Sequence, residues 1–445
     1  MVFARVPRGN VGDAPMGTTR HWPPMPAVPS APTAQRIKGH LWSALTNQVR
    51  DAMTAAPAPA AAPTKGLEGI IAAQSSICFI DGDKGILSYR GYDINELAPN
   101  STFEETTFLL WEGHLPSKEE LKAFGAELAA NRELPPIALQ VLRDVSKSMG
   151  PMDALRTTVS ALGAGRNDAD KYSTDIDRRK AIETTAQLAT IVAYYQRLRF
   201  DKDLVHPDPK LSHAANFLYM LTGKKPTPAA ERAFDCALVL HADHDLNAST
   251  FAARVTAATL ADYHGAITSA IGALKGPLHG GANIEVMKML LEIDASREKP
   301  DDWVEHQLAK KRKIAGFGHR VYKTLDPRAI HLAKLSKSLG EQAKQTKWYD
   351  MSLALQKSMK KQKDIDANVD FFSASSYYVM GIPLDLYTPI FAVSRIAGWS
   401  AHVLEQHGDN RLIRPLSEFT GKLGKKWVPV SKREAPQVEA KAKTA

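Results

Sequence analysis

The chain is organised around one stretch, Gly276-Pro277-Leu278-His279-Gly280-Gly281-Ala282-Asn283. A proline precedes the histidine and two glycines follow it, so the backbone must turn sharply there. An apolar repeat at helical spacing comes next, and Asn283 is placed to cap that helix. The spacing therefore predicts that His279 lies beside a helix N-terminus. There the helix dipole disfavours the protonated imidazole and leaves a neutral N–H able to donate.

The charge of the chain is concentrated at its ends. The formal net charge is +9, but residues 1–65 and 422–445 together contribute +10, and residues 66–421 sum to −1. Basic tails alone do not indicate nucleic acid or an acidic membrane as the main partner, and no apolar run approaches membrane-spanning length. With only Cys78 and Cys236, a disulfide scaffold is excluded. We expect two buried free thiols in a reducing cytoplasm.

Residues 1–65 are rich in proline and alanine, and we expect this leader to be disordered. The simplest interpretation is a solvated tail. Translation from Met53 would make part of it an artefact. A transit peptide is the third possibility, although the prolines would break an amphipathic helix.

The remaining sequence predicts a mostly α, multi-helical fold. Residues 76–90 contain the one convincing strand pattern, a small hairpin with Asp81-Gly82-Asp83 at its turn. From Ile94 onward, apolar residues recur at helical spacing, and prolines punctuate the helices at short intervals.

A change in composition indicates a second, inserted domain. The sequence becomes charged and lysine-rich after Asp294 and apolar again at Met380. We predict a large helical domain at 66–281 that resumes at 386–421, a smaller domain inserted at 282–385, and a basic tail at 422–445. The cleft between the two domains would then contain His279 at one hinge.

Two histidines three residues apart, His241 and His244, flank Asp243 on one predicted helix face. Such a cluster could bind a metal, as in helical metal-dependent phosphohydrolases, but no second His–Asp pair stands at a suitable place. Structural packing and contact with a substrate are the other interpretations, because buried histidines are usually held by hydrogen bonds.

Three further segments carry groups suited to a polar ligand. Gly316-Phe317-Gly318-His319-Arg320, with Arg328 beyond it, is a glycine-spaced turn of a kind that ordinary loops also contain. Asp370 either caps a helix or borders apolar surface, where lost hydration would raise the pKa of its carboxyl group. Arg395 lies in an apolar segment, and a buried guanidinium needs an anion from the protein or from a ligand.

Together these groups suit a small substrate with several carboxylates. One residue would remove a proton from carbon while another polarises a carbonyl. The sequence has no Walker loop, no dinucleotide-binding fingerprint after a strand and no nucleophile elbow.

The motifs, in this order, resemble the citrate synthase family, in the shorter bacterial form that also includes 2-methylcitrate synthase. The matching segments cover about residues 66–421. They are Tyr89-Arg90-Gly91-Tyr92, Pro151-Met152-Asp153, His241 to Thr250, Gly276 to Asn283, Gly316 to Lys323, Asp326-Pro327-Arg328, Asn368-Val369-Asp370, Ser394-Arg395 and Arg414-Pro415. Two departures are small: Gly150 stands where relatives often have histidine, and Ala367 where proline is common.

The resemblance implies a role for each matching residue. Asp370 would take a proton from the methyl group of acetyl-CoA, and His279 would donate to the thioester carbonyl. His319 would hydrogen-bond the ketone of oxaloacetate and supply its proton. The oxaloacetate carboxylates would be bound by His244, Arg328, Arg395 and, from the partner subunit of a homodimer, Arg414. His241 would support His244 from behind.

The resemblance also implies the overall reaction. Hydrolysis of citryl-CoA would give citrate and CoA at the entry to the tricarboxylic acid cycle, with acetyl-CoA as a substrate and neither cofactor nor metal. Candidate CoA-binding residues are Lys311, Lys313, Gly316, Gly318 and Lys363, although a lysine-rich face is often only solvated. The alternatives are 2-methylcitrate synthase acting on propionyl-CoA, a catalytically silent metabolite sensor and, more remotely, a metal phosphohydrolase.

Overall fold

The computed structural model describes residues 65–67, 69–164 and 166–433. The chain divides into two compact units between Ile70 and Ile71. In the first, the described residues form a short 3₁₀ helix, Lys65–Leu67. The expectation of a disordered leader at 1–65 falls almost wholly outside the described residues, as does the end of the basic tail. All the elements below belong to the second unit.

A small antiparallel sheet lies at the start of this unit. Its strands are β1 (Cys78–Asp81), β2 (Ile86–Tyr89) and β3 (Tyr92–Asp93), in that order. The predicted hairpin is confirmed, with Cys78 opposite Tyr89 and Asp81 opposite Ile86. At the turn, the Asp81 carboxylate accepts hydrogen bonds from the backbone N–H groups of Asp83 and Lys84. β3 was not predicted, because two residues are too few to show alternation.

Sixteen α-helices occupy the described residues between Ile94 and Gly408, which confirms the mostly α prediction. They are α1 (Ile94–Asn100), α2 (Phe103–Glu112), α3 (Lys118–Ala130), α4 (Pro136–Val145), α5 (Pro151–Gly163), α6 (Thr174–Leu198), α7 (His213–Thr222), α8 (Pro228–His241), α9 (Ala248–Ala257), α10 (Tyr263–Leu274), α11 (Ala282–Ser296), α12 (Pro300–Ala309), α13 (Pro327–Gln342), α14 (Lys347–Lys363), α15 (Val369–Val379) and α16 (Tyr387–Gly408). Short 3₁₀ helices cover Leu384–Leu386 and Val430–Lys432.

Helix starts follow from residues that satisfy or lack a backbone N–H. Five helices (α4, α5, α8, α12 and α13) begin with proline, which has no N–H to leave unpaired. Near the site, side-chain oxygens of Asn247, Asp326 and Asn368 cap α9, α13 and α15 respectively. These caps fix the helix N-termini that surround the site.

Helix α16 runs through the core of the large helical part. Of its 22 residues, 18 are buried, and it packs against α2, α6, α8, α9 and α10. At Gly398 it comes so close to the end of α8 that a Cβ would lie 2.2 Å from Oδ1 of Asp243. Only glycine permits this approach, which brings α16 against the His241–His244 segment.

Helices α11 to α15 pack chiefly on one another. α15 lies against α11 and α13, and α12 lies against α14. Contacts with the remaining helices are made mainly by α13, which touches α1 and α8. These five helices span the predicted insertion at 282–385, whose domain boundaries stay a prediction. Within the described ranges, no helix has both the length and the apolar character needed to cross a bilayer.

Candidate active site

His279 lies in the turn between α10 and α11 and is half-buried. Its backbone N–H donates to the Gly276 carbonyl at 2.9 Å, and that of Gly280 donates to the Leu274 carbonyl at 3.0 Å. A Cβ at Gly280 would lie 2.6 Å from the Leu274 carbonyl oxygen, so the turn requires glycine there. The sharp turn predicted around His279 is confirmed.

The start of α9 fixes the protonation of His279. The backbone N–H of Ser249 donates to Nε2 of His279 at 3.2 Å, and the Ser249 hydroxyl oxygen lies 2.8 Å from the same nitrogen. Nε2 is therefore an acceptor, and a neutral imidazole carries its proton on Nδ1. Burial, together with the charge of Arg395, lowers the pKa of His279 to about 4. The imidazole is a neutral donor near pH 7.

The helix that meets this imidazole is not the predicted one. Helix α11 has Gly281 at its N-cap without a side-chain cap, and Asn283 is the second residue inside the helix. Both polar side-chain atoms of Asn283 are buried and have no hydrogen-bond partner in the described structure. The prediction that Asn283 caps α11 is wrong, because the cap position is occupied by Gly281, two residues earlier. The N-terminus that faces His279 is that of α9.

Two more histidines, His244 and His319, lie side by side. Their ring centroids are 5.2 Å apart, and Tyr322 packs against both at 5.6 and 4.8 Å. Nδ1 of His319 accepts hydrogen bonds from the backbone N–H groups of Val321 and Tyr322 at 3.0 and 3.3 Å. The proton of neutral His319 is therefore on Nε2. Burial and the charge of Arg328 lower the pKa of His319 to about 4 and that of His244 well below its usual value.

Arg328 is buried at the start of α13 and pairs with Asp326. Its Nε and Nη2 donate to the two carboxylate oxygens at 2.9 and 2.8 Å. Asp326 also accepts from the backbone N–H of Val369 at 3.1 Å, which ties the start of α13 to the start of α15. Burial alone would lower the pKa of Arg328, but the paired carboxylate raises it overall. Arg328 stays charged.

Arg395 is 1% exposed and forms no salt bridge with the described residues. Burial lowers the pKa of its guanidinium, and the charge of the buried Asp243 carboxylate acts in the opposite sense. Its Nε donates to the His241 carbonyl at 2.7 Å, and its guanidinium lies 4.7 Å from the centroid of the Phe391 ring. No carboxylate among the described residues forms a salt bridge with it. A buried guanidinium without a direct salt bridge favours the second source of an anion considered from the sequence, a bound ligand.

His241 is also buried, behind this group. Its Nδ1–H donates to the Ala237 carbonyl at 2.7 Å, and its Nε2 is buried without a partner. No group of three His, Cys, Asp or Glu side chains in the described ranges is arranged to hold a metal ion. The interpretation of His241, Asp243 and His244 as a metal site therefore lacks a ligand set within those ranges.

Asp370 is half-buried at the second position of α15, after the cap residue Asn368. The cap interpretation of Asp370 is therefore wrong. Burial raises the pKa of its carboxyl group to about 6, with Arg328 and Arg395 acting in the opposite sense. Arg395 also acts on the pKa of His279, Arg328 on that of His319, and both on that of His244. Each of these groups therefore lies within electrostatic reach of at least one of the two arginines.

Backbone contacts join the His319 turn to the Asp370 turn. The N–H of Asn368 donates to the Gly316 carbonyl at 2.9 Å, and the N–H of Gly318 donates to the Asp366 carbonyl at 3.0 Å. The side-chain amide of Asn368 donates to the Gly318 carbonyl at 2.9 Å. These bonds fix the turn that carries His319 against the turn that precedes Asp370.

Comparison with known proteins gives a consistent result. Residues 66–416 match the family model described as "Citrate synthase, C-terminal domain". The chain belongs to the citrate synthase family. It is an enzyme of the citrate synthase type, a transferase.

Relatives and solved structures extend over most of the chain. Citrate synthase from Haloferax volcanii is 52% identical over 83% of this chain and 98% of its own. A 2-methylcitrate synthase from Corynebacterium glutamicum is 40% identical over 83% and 98%. The crystal structure of citrate synthase from Pyrobaculum aerophilum has a TM-score of 0.77 at 41% identity, covering 83% of this chain and 95% of its own. The structure of citrate synthase from Thermoplasma acidophilum, in a ternary complex with carboxymethyl coenzyme A and oxaloacetate, has a TM-score of 0.77 at 33% identity and covers 83% of this chain and 99% of its own.

The candidate CoA-binding residues of this chain comprise three exposed lysines and two glycines. Lys311, Lys313 and Lys363 are exposed and form no salt bridge within the described part of the chain. Gly316 has a φ of +82°, and a Cβ there would lie 2.7 Å from the side chains of Phe371 and Val286. That side of Gly316 faces protein rather than ligand. The role of these residues in CoA binding stays a prediction.

Arg414 lies beyond α16 and is exposed. It forms no hydrogen bond or salt bridge with the described residues of its own chain. The predicted contribution of Arg414 to a site therefore depends on a partner subunit, and it stays a prediction.

Three site residues were missed from the sequence: Ser249, Tyr322 and Asp326. Asp326-Pro327 is a recognisable helix start, and Asn247-Ala248-Ser249 is a recognisable cap before an alanine-rich helix. Both patterns were readable as helix starts, but nothing in them indicates contact with a histidine or arginine far away in sequence. Tyr322 has no local signal.

Proposed function

We propose that this enzyme condenses acetyl-CoA with oxaloacetate and hydrolyses the citryl-CoA formed to citrate and CoA, at the entry to the tricarboxylic acid cycle. The observation that carries the proposal is the set of protonation states around two buried arginines. A carboxylate of raised pKa, Asp370, is combined with two neutral imidazoles whose donor nitrogens are fixed by backbone N–H groups.

Enolisation uses Asp370 and His279. Asp370 takes a proton from the methyl carbon of acetyl-CoA. Its pKa of about 6 makes it a stronger base than an ordinary carboxylate, and Asp370 is still ionised at neutral pH. Nδ1–H of His279 donates to the thioester oxygen, where negative charge develops. A neutral imidazole suits this task because a charged one would be buried beside Arg395.

Carbon–carbon bond formation uses His319. The enol carbon attacks the ketone carbon of oxaloacetate, and the Nε2–H of His319 donates to the ketone oxygen as that oxygen becomes negative. Water then cleaves the thioester of citryl-CoA, which releases CoA and forms the third carboxylate of citrate.

The two arginines and His244 bind oxaloacetate. Arg395 is buried and forms no salt bridge with the described residues, and a carboxylate matches its fork of donors. Arg328 is held by Asp326, whose two carboxylate oxygens accept from Nε and Nη2 and so orient the guanidinium. His244, 3.3 Å from the Tyr322 hydroxyl, supplies a further polar contact. No cofactor or metal takes part in these steps.

We also propose a cytoplasmic homodimer in which Arg414 completes the partner's oxaloacetate site. Support comes from the segment after α16, where several apolar side chains are exposed, including Leu416 at 88% and Trp427 at 78%. Such side chains are expected to be covered in an assembly. Both cysteines are free, with Cys236 buried and Cys78 half-buried rather than buried as predicted, which suits a reducing compartment.

Steady-state kinetics test the proposal. CoA release should require oxaloacetate, should persist with a metal chelator, and should have a higher kcat/KM for acetyl-CoA than for propionyl-CoA. Asp370→Asn should lose activity. A clear preference for propionyl-CoA would make the enzyme a 2-methylcitrate synthase, whereas full activity of Asp370→Asn would refute the proposed base. In a mixture of Asp370→Asn and Arg414→Ala subunits, recovered activity would support the shared site.

A further inference from the structure

The β1–β2 hairpin contacts both loops that carry the paired histidines. At its base, Tyr89 is fully buried, and its hydroxyl group donates to the Asp243 carbonyl at 3.0 Å. The backbone N–H of Asp243 donates back to the Tyr89 hydroxyl oxygen at 3.3 Å. Asp243 directly precedes His244, so the end of β2 is bonded to the backbone next to that imidazole.

The tip of the hairpin contacts the loop after His319. The backbone N–H of Lys323 donates to the Gly82 carbonyl at 2.9 Å. A Cβ at Gly82 would lie 2.1 Å from the Val321 carbonyl oxygen and 2.8 Å from its carbon. A Cβ at Gly85 would lie 3.1 Å from the Leu325 carbonyl oxygen. The tip therefore packs backbone against backbone, at a distance that only glycine permits.

This contact lies next to the atoms that orient His319. Val321, whose carbonyl touches Gly82, is the residue whose N–H donates to Nδ1 of His319. The peptide group of the Val321 carbonyl also carries the N–H of Tyr322, which donates to the same Nδ1 at 3.3 Å. A movement of this peptide group would therefore change both the direction of the imidazole and its 5.2 Å separation from His244. The surface ion pair between Lys323 and Asp83 contributes little by comparison, because its side chains are 79% and 72% exposed.

We propose that the hairpin is a positioning element for the substrate site. It spans from the His244 loop to the His319 loop and sets the distance between the two imidazoles, with Gly82 as the contact residue. The hairpin thereby affects the affinity for oxaloacetate without contacting the substrate itself. This inference rests on the proposed function, in which His244 and His319 bind oxaloacetate.

Gly82→Ala is the decisive variant. Gly82 is not among the residues with positive φ, so alanine is acceptable to the local backbone and the change acts through the contact with Val321. We expect the Kd for oxaloacetate, measured by titration calorimetry without acetyl-CoA, to rise about tenfold or more. The KM for acetyl-CoA should change little. Amide hydrogen exchange across 318–325 should become faster.

Two controls and a second variant accompany this experiment. Asp83→Ala removes the exposed ion pair with Lys323 and leaves the backbone contact intact, so oxaloacetate affinity should be unchanged. Gly125→Ala makes the same chemical change where no atom lies within 4 Å. Tyr89→Phe removes only the hydroxyl bonds at the base of the hairpin. It should also weaken oxaloacetate binding, and it decides the question if Gly82→Ala does not fold.

The outcomes separate this inference from the proposed function. A folded Gly82→Ala enzyme with oxaloacetate affinity within twofold of the wild type, and with unchanged exchange at 318–325, overturns the positioning role. If the wild-type enzyme does not bind oxaloacetate, the proposed function fails, and exchange at 318–325 alone decides whether Gly82 holds the loop. Faster exchange in Gly82→Ala then supports the positioning role, and unchanged exchange overturns it.

Discussion

Replacing Asp370 with asparagine should inactivate the enzyme and, at the same time, stabilise its fold. Folding raises the pKa of this carboxyl group from 3.8 to about 6. The native state therefore binds the proton more tightly than the unfolded chain does, and it pays a cost whenever the group is ionised. The cost is absent below the unfolded pKa of 3.8. It grows as the pH rises from there through the folded pKa of about 6, and it is constant at higher pH.

The size of the effect follows from the shift. A shift of slightly more than two pKa units lowers the free energy of unfolding by about 3 kcal/mol at neutral pH and above. At pH 5, where the native carboxyl group is mostly protonated, the same shift corresponds to roughly half of that value. Asp370→Asn should therefore increase the free energy of unfolding by up to about 3 kcal/mol at pH 8 and by roughly half as much at pH 5.

Denaturant unfolding at fixed protein concentration, at pH 5 and pH 8, measures this difference. Asp350→Asn is the matched control, since Asp350 is exposed on α14 and its loss should change stability by less than about 0.5 kcal/mol at either pH. A gain that is equal at the two pH values, or no gain at all, would show that Asp370 is an ordinary carboxylate. The argument for a tuned base would then fail.

Three other outcomes are expected. Since the base must be ionised, kcat/KM for acetyl-CoA should fall about tenfold per pH unit below the Asp370 pKa of about 6; a profile flat to pH 5 would contradict this. Ser249→Ala removes the hydroxyl group 2.8 Å from Nε2 of His279 but keeps the backbone donor. The value of kcat should therefore fall only about two- to tenfold, with little change in the KM for oxaloacetate. An unchanged kcat would argue against this contact. Arg395→Lys loses the fork of donors and the bond to the His241 carbonyl, so the KM for oxaloacetate should rise at least about tenfold; an unchanged KM would place the substrate elsewhere.

Much of this molecule is predictable from local sequence. The hairpin follows from a strand pattern interrupted by Asp81-Gly82-Asp83, and its turn is stabilised by the Asp81 carboxylate within the turn itself. Helix starts at proline follow from a single residue. Arg395 could be singled out because a guanidinium in an apolar run must find an anion, and the structure shows it buried without a salt bridge in the described part of the chain.

What could not be predicted depends on contacts between distant segments. Ser249 matters only because its N–H meets Nε2 of His279, 30 positions away. Asp326 matters because it binds both Arg328 and the start of α15. Asn283 was assigned a cap from a local pattern, but helix α11 starts one residue before it. Local patterns locate helix starts, whereas tertiary packing decides which side chain each start faces.

The buried charge of Arg395 has a consequence for the lifetime of the protein in a cell. Helix α16 carries a buried cation that forms no salt bridge in the described structure, and a bound dicarboxylate supplies a direct partner for it. A ligand at 100 times its Kd stabilises a folded protein by about 2.7 kcal/mol. Scarcity of the metabolite would therefore expose the chain to faster unfolding and degradation, so that the supply of its own substrate helps to set how much enzyme persists.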